Sequence, residues 1–196
     1  MRSPFSEAGY TAIQLLVAVG IIGVVSATAM PSTFRVLAEM RLSGDARDLH
    51  NTVGLAKMRA ATRYTRERIY VDLTTNTYKL QYWDKTTSGW LDEQGSTNLS
   101  TSVSFGFGST QTPPPNTQTA IGQSPSCTDN AGAAITGSAC IIFNSRGVPV
   151  SSTGSPTGNS AFYLTDGGIT YGVTLSATPL IRLWSTRAGT SLWVQR

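Results

Sequence analysis

The chain has few residues of the types that carry out acid–base, nucleophilic or metal chemistry. Its only histidine is His50, and charged residues make up 13% of its 196 positions. A Ser-His-Asp or Cys-His arrangement would have to be built around that single imidazole. The carboxylates are dispersed, and the one adjacent pair, Asp92 and Glu93, is predicted to lie solvated in a loop. We therefore expect no enzyme activity, no cofactor and no metal site.

The two cysteines, Cys127 and Cys140, lie in a stretch rich in glycine, serine and alanine. There is no second cysteine pair, so the sequence lacks the four cysteine and histidine ligands that a structural zinc site needs. Outside the cytoplasm, where conditions are oxidising, the expected product is a disulfide. Closing a loop of this size would stabilise the fold by very roughly 3 kcal/mol in the chain-entropy model. The bond should tie down the aperiodic segment 110–137.

Basic residues raise the question of nucleic-acid binding. Arg182, Arg187 and Arg196 follow the last acidic residue, Asp166, and give the tail a local charge of +3. They would attract phosphate in a salt-sensitive way. Several aromatic residues could stack on bases or sugars, although core packing is favoured for most because strand alternation buries about half; they are Tyr78, Tyr82, Trp83, Trp90, Trp184 and Trp193.

Residues 69–196 as a whole have no net charge, and the excess of +4 lies in the segment 35–68, where eight basic residues face four acidic ones. The basic residues are Arg35, Arg41, Arg47, Lys57, Arg59, Arg63, Arg66 and Arg68. A basic helix could contact lipid headgroups or nucleic acid. A solvated helix face of mixed charge is favoured over both.

Residues 8–34 include no charged residue and contain an apolar run that is broken by few polar residues. A helix of this length is what crossing roughly 30 Å of hydrocarbon requires. The run exceeds the h-region of a secretory signal peptide, which is about 7–15 residues long. A short polar leader precedes it, and Gly9 stands directly before Tyr10. An uncleaved single-span anchor is the alternative.

This N-terminus resembles that of type IV pilins and type II secretion pseudopilins. The matching residues are Gly9, Tyr10, Thr11, Leu15, Leu16, Ile21, Ile22, Gly23 and Pro31. The resemblance implies that prepilin peptidase cleaves between Gly9 and Tyr10 and that Tyr10 becomes N-methylated. It also implies that the helix partly unwinds near Pro31, where the ring should kink or loosen it.

Gln14 departs from the family pattern. The fifth mature position is typically a glutamate that pairs with the N-terminal amine of a neighbour. A glutamine cannot neutralise that charge, so the resemblance implies a subunit at a unique position, most simply the filament tip.

Beyond Pro31, apolar residues recur at steps of three and four and predict an amphipathic helix that ends near Thr65. Its stripe is Leu42, Ala46, Leu49, Val53, Ala56, Ala60 and Tyr64. Alternation then predicts strands at 68–73, 78–83, 99–107, 141–144, 148–150, 161–165, 169–175, 180–184 and 191–194, with 88–95 as a loop. The sequence Leu-Ala-Lys-Met-Arg-Ala at 55–60, the strand at 69–73 and Gly89-Trp90 resemble the GspH/FimT type of minor pseudopilin.

Helix first and strands afterwards indicate the α+β class. We expect a pilin-like fold, with a long N-terminal membrane helix packed on antiparallel sheet and the last strands in a second sheet. The predicted parts are a leader at 1–9, a transmembrane half-helix at 10–31 and a periplasmic or extracellular domain at 32–196.

The resemblance implies a minor pilin or pseudopilin that initiates or caps a type IV pilus or type II secretion pseudopilus. Its implied partners are other pilins or pseudopilins, prepilin peptidase and the inner membrane, where it would be a single-pass protein before assembly. The alternative is a DNA-binding minor pilin acting in DNA uptake, with Arg182, Arg187 and Arg196 as the contacts. The Gly-Arg-x-Arg motif of such proteins is absent from the tail.

Overall fold

The computed structural model describes residues 11–196, apart from the side chains of residues 28–32. The chain divides into two compact units, Met1–Ala38 and Glu39–Arg196. Residues 11–196 include one helix, α1 (Ala12–Thr62), which contributes to both units. All the strands belong to the second unit.

The part of α1 in the second unit carries the predicted apolar stripe. Its members from Leu42 to Ala60 are fully buried. They include three alanines, and these small side chains let the sheets approach the helix closely. The last buried member of the stripe is Ala60 rather than Tyr64. Tyr64 lies beyond the helix, has a φ of 52° and is 75% exposed. The predicted helix end near Thr65 was therefore three residues too late.

In the described part of the chain, eleven strands follow α1. They are β1 (Glu67–Asp72), β2 (Thr77–Asp84), β3 (Gly89–Asp92), β4 (Thr97–Asn98), β5 (Ser104–Phe105), β6 (Ser138–Phe143), β7 (Pro149–Val150), β8 (Ser160–Thr165), β9 (Ile169–Leu175), β10 (Ile181–Arg187) and β11 (Val194–Gln195).

The strands form two sheets, and every strand pairing in the described chain is antiparallel. The first sheet has the order β3-β2-β1-β6-β7, with β4 also paired to β2. The second has the order β11-β10-β9-β8-β5. The predicted hairpin of β1 and β2 and the predicted second sheet of late strands are confirmed, and so is the α+β class.

Three local predictions were wrong. The segment 191–194 was expected to be a strand, but only its last residue lies in one, β11 (Val194–Gln195). The segment 88–95 was expected to be a loop, but Gly89–Asp92 forms the edge strand β3, in which Trp90 pairs with Trp83. The segment 99–107 was expected to be one strand, but only Ser104–Phe105 pairs with β8. A turn around Ser102, whose φ is 73°, interrupts the remainder.

One hydrophobic core joins the helix stripe to the inner faces of both sheets. Its sheet residues include Ile69, Val71, Leu80, Ile141, Phe143, Phe162, Leu164, Val173, Leu175 and Leu183. Burial of apolar surface at about 25 cal/mol per Å² is the main favourable term for such a layer arrangement. The core therefore fixes residues 39–62 of α1 against the sheets within the second unit.

Candidate functional site

The most unusual surface of the molecule is the first part of α1. Each residue from 11 to 27 is exposed. The large apolar side chains there are 58% to 74% exposed; they are Ile13, Leu15, Leu16, Val17, Val19, Ile21 and Ile22. Since these positions include neighbours in sequence, they cover all sides of the helix. A large exposed apolar surface usually marks an interaction site.

The apolar surface continues past the residues whose side chains are not described. Phe34, Val36 and Leu37 are 42% to 68% exposed. We call these residues, together with the apolar residues of 11–27, the apolar helix surface.

The predicted membrane span at 10–31 includes residue 10 and the side chains of residues 28–31, which lie outside the described part of the chain. Among the residues that the structure describes, no helix combines the length and the apolar character needed to cross a membrane.

Of the residues that the sequence assigns to processing and assembly, Gly9 and Tyr10 lie outside the described residues. Gln14 lies in the first turn of α1, where its Oε1 accepts a hydrogen bond from the backbone N–H of Thr11 at 3.1 Å. This is one of the two bonds of a capping box of the Thr-x-x-Gln type. Gln14 therefore satisfies a backbone donor at the start of its own helix. The helix continues through Pro31.

Cys127 and Cys140 form a disulfide, with their Cα atoms 5.0 Å apart. The two cysteines pack with Ile142 and Val150 in a small cluster on the outer face of the first sheet. Polar bonds hold the enclosed loop as well. The Arg68 guanidinium donates to the Thr128 carbonyl at 2.7 Å, and the backbone N–H of Trp90 donates to Asn130 Oδ1 at 2.9 Å. The loop thus covers part of the face that β1 and β3 present outward.

Four ionisable side chains form a cluster beside the end of α1: Arg59, Arg63, Glu67 and Glu93. The two carboxyl groups are buried, whereas the Arg59 side chain is 25% exposed and the Arg63 side chain 41% exposed. Glu93 forms ion pairs with both arginines, and Arg63 also contacts Glu67, with Nη1 3.3 Å from Oε1. Glu67 is fully buried, and its Oε2 has no hydrogen-bond partner. The side chain of Glu93 is only 7% exposed. The prediction that Glu93 is solvated in a loop was therefore wrong.

Burial raises the pKa of Glu67 from its ordinary value of 4.5 to about 7. The nearby Glu93 carboxylate acts in the same direction, whereas Arg63 and Arg59 oppose it. Arg59, Arg63 and Glu67 are spaced four positions apart, and this pattern could have revealed three of the four members from sequence. Nothing in the sequence points to Glu93 as the partner.

Most basic residues near the helix end are engaged within the chain. Arg66 stacks over the Trp83 ring at 4.4 Å, and Arg68, which is 3% exposed, lies 4.1 Å from the Trp90 ring centre. Burial lowers the pKa of Arg68 to about 10. Both arginines come after the end of α1 at Thr62. The basic residues counted over 35–68 are therefore not all on the helix.

Core packing was predicted for most of the six aromatic residues, and this was wrong, because only two of them are buried. Tyr78 and Trp184 are buried, whereas Tyr82, Trp83, Trp90 and Trp193 are half-buried.

The three tail arginines do not form one patch. Strand alternation places Arg182 and Arg187 on opposite faces of β10. Arg196 donates through Nε to Ser185 Oγ at 2.8 Å and so lies on the face of β10 that Arg187 shares. The structure therefore separates Arg182 from the other two.

In the part of the chain that the structure describes, no group of three or more His, Cys, Asp and Glu side chains could hold a metal ion. His50 lies within α1, in its second-unit part.

The chain is similar in structure to the minor pseudopilin EpsH from the type II secretion system of Vibrio cholerae. One structure matches with a TM-score of 0.46 and 14% identity over 76% of this chain and 99% of EpsH. A second matches with a TM-score of 0.47 and 13% identity over 79% of this chain and 99% of EpsH. No protein-family model and no curated protein matches the sequence.

Proposed function

We propose that this chain is a minor pilin or pseudopilin, a non-enzymatic subunit that initiates or caps a filament of the type IV pilus or type II secretion kind. The observation that carries the proposal is the apolar helix surface, where side chains such as Leu16 are exposed on all sides of α1. The leader and the Gly9-Tyr10 junction in the sequence support the same function. Cleavage there, followed by N-methylation of Tyr10, is part of the proposal.

Helix packing supplies the driving force. A helix that is apolar all round is normally buried against other apolar surfaces. Transfer of one large apolar side chain from water into such a contact contributes about 1.5–3 kcal/mol. A bundle of like helices from neighbouring subunits would bury the residues around Leu16 and Ile22 together, while the second unit selects its partners.

Gln14 sets the position of the subunit. Its amide oxygen caps the first turn of its own helix. An amide can accept a hydrogen bond from an ammonium group but cannot neutralise its charge. A subunit that lacks a carboxylate at this position is suited to a unique place, most simply the tip, where it meets no earlier subunit.

Immunogold labelling of sheared filaments tests the proposal. We expect sparse label, concentrated at filament ends. Uniform label along the shafts would refute the tip position, and absence of the protein from purified filaments would refute the subunit role itself.

DNA binding has no observation in its favour, because the tail arginines are divided between two faces of β10.

A further inference from the structure

Tyr64 adopts a backbone conformation that a tyrosine rarely takes. It lies just after the end of α1, with a φ of 52°. Glycine usually occupies the left-handed position after a helix, because a side chain there meets steric strain. The tyrosine ring gains no burial in return, since the residue is 75% exposed. An exposed aromatic residue at a strained position points to a role other than folding.

The residues around Tyr64 hold this conformation in place. Lys85 Nζ donates to the Tyr64 carbonyl at 3.0 Å, and Thr65 Oγ1 donates to the Trp83 carbonyl at 2.7 Å. The backbone N–H of Trp83 donates to the Arg66 carbonyl at 2.8 Å. These bonds tie the segment after α1 to β2 and leave the tyrosine ring at the surface.

Tyr64 borders a groove of about 340 Å³, which we call the Tyr64 groove. It is lined by Tyr64, Thr65, Arg66, Trp83, Lys85, Asn144 and Ser145. The Arg66 guanidinium lies over the Trp83 ring, with its central carbon 4.4 Å from the ring centre. Tyr64 is exposed, and Arg66 and Trp83 are half-buried. Tyrosine, tryptophan and arginine are the residue types that are enriched in interface hot spots.

The groove carries two positive charges and no negative one. Arg66 and Lys85 line it, and no acidic residue does. Among the described residues, neither cation takes part in an ion pair. The neighbouring Asp84 carboxylate is occupied within its own turn, where it accepts hydrogen bonds from Thr86 and Thr87. A carboxylate from outside would therefore find unpaired cations here.

We propose that the Tyr64 groove binds a segment of a partner protein in which a carboxylate stands beside an apolar side chain. The Tyr64 and Trp83 rings would contact the apolar side chain, and Arg66 and Lys85 would receive the carboxylate. A nucleic acid fits less well, because its affinity depends on how many phosphates are neutralised and the groove offers two cations. The site does not depend on the chain being a filament subunit.

The test is a titration of the full chain with a blocked peptide that alternates glutamate and leucine, monitored by calorimetry. We expect saturable binding of this peptide, weaker binding of the same peptide with lysine in place of glutamate, and no competition from a short oligothymidine. Tyr64→Gly should weaken binding about tenfold, as expected for a hot-spot residue. The same variant should melt at a higher temperature than the wild type, because glycine adopts a positive φ without strain.

Lys85→Glu and Arg187→Glu form a matched pair. Each reverses one exposed positive charge, but only Lys85 lines the groove. Lys85→Glu should weaken peptide binding about tenfold, and Arg187→Glu should change it by less than about twofold. Equal effects of the two reversals, unchanged binding by Tyr64→Gly, or no preference for the acidic peptide would overturn the proposal. Displacement of the peptide by oligothymidine would overturn it in favour of a nucleic-acid site.

Discussion

Glu67 is a carboxyl group in a fully buried position, with one of its oxygens unpartnered. Both features favour the protonated acid in the folded state, and the pKa of about 7 expresses this. The two arginines of the cluster reduce the cost of ionisation without removing it. A residue in this state links folding to proton binding.

The stability of the second unit should therefore fall as the pH rises through neutrality. The folded pKa of Glu67, about 7, exceeds its ordinary value of 4.5. Its contribution is fully present below that ordinary value and is lost as the pH passes about 7. Urea denaturation at a series of pH values should show a decrease of up to about 3 kcal/mol from this group.

Glu67→Gln keeps the shape and removes the titration. The unfolding free energy of the Glu67→Gln variant should vary less between pH 5 and pH 8 than that of the wild type. At pH 8 the variant should be more stable than the wild type. The same pH slope in both proteins would show that Glu67 does not titrate in this range.

For single residues, the sequence predicts a chemical role when that role depends only on the amino-acid type. The cysteine pair is of this kind, because two cysteines have only one partner each. Glu93 is different. Its burial depends on β3 bringing it beside Arg59 and Arg63, and that strand was predicted as a loop. The conformation of Tyr64 was equally hidden, because its spacing continues the apolar stripe that the helix end interrupts.

Among the elements, the disulfide loop has the clearest energetic role. Its two cysteines are 13 positions apart in the sequence. Cys127 and Cys140 pack against Ile142 and Val150. The loop also supplies the Thr128 carbonyl to the buried Arg68 guanidinium. Cross-linking thus stabilises both a small apolar cluster and the partner of a buried cation.

Replacement of both cysteines by serine should lower the free energy of unfolding by roughly 3 kcal/mol, mainly by restoring freedom to the unfolded chain. Urea denaturation measures the loss. The fluorescence of Trp90 should shift, because its ring packs against this cluster and its backbone N–H donates a hydrogen bond to Asn130 Oδ1. An unchanged midpoint in the double variant would contradict the stabilising role.

The bounds of the strands show which elements the sequence pattern alone can predict. Strands β1, β2 and β9 could be placed because apolar and polar residues alternate along their sequences and turn residues flank them. The predicted strand at 99–107 failed because Ser102 takes a positive φ and turns the chain, which serine does not signal. The irregular segment before β6 is held by side-chain bonds, such as those between Gln123 and the backbone of Tyr163, and these have no sequence period.

For the molecule as a whole, the net charge of +4 does not amount to a nucleic-acid surface. Arg59 and Arg63 pair with carboxylates, Arg68 is buried, and the tail arginines are divided between faces. The full chain should not retard duplex DNA at physiological salt in a gel-shift assay. Retardation that falls steeply with salt and disappears on replacing Arg182, Arg187 and Arg196 by alanine would restore DNA binding as the function.

The central claim is that the apolar helix surface is where the subunit joins others. Leu16→Asp tests it most directly, because Leu16 is 74% exposed and the change leaves the core untouched. Met58→Asp is the matched control, since Met58 is 61% exposed on the same helix but belongs to the second unit. Quantitative immunoblotting of sheared, purified filaments gives the readout. We predict that the Leu16 variant is absent from filaments while the Met58 variant is present at the wild-type level. Wild-type incorporation of the Leu16 variant would contradict the account.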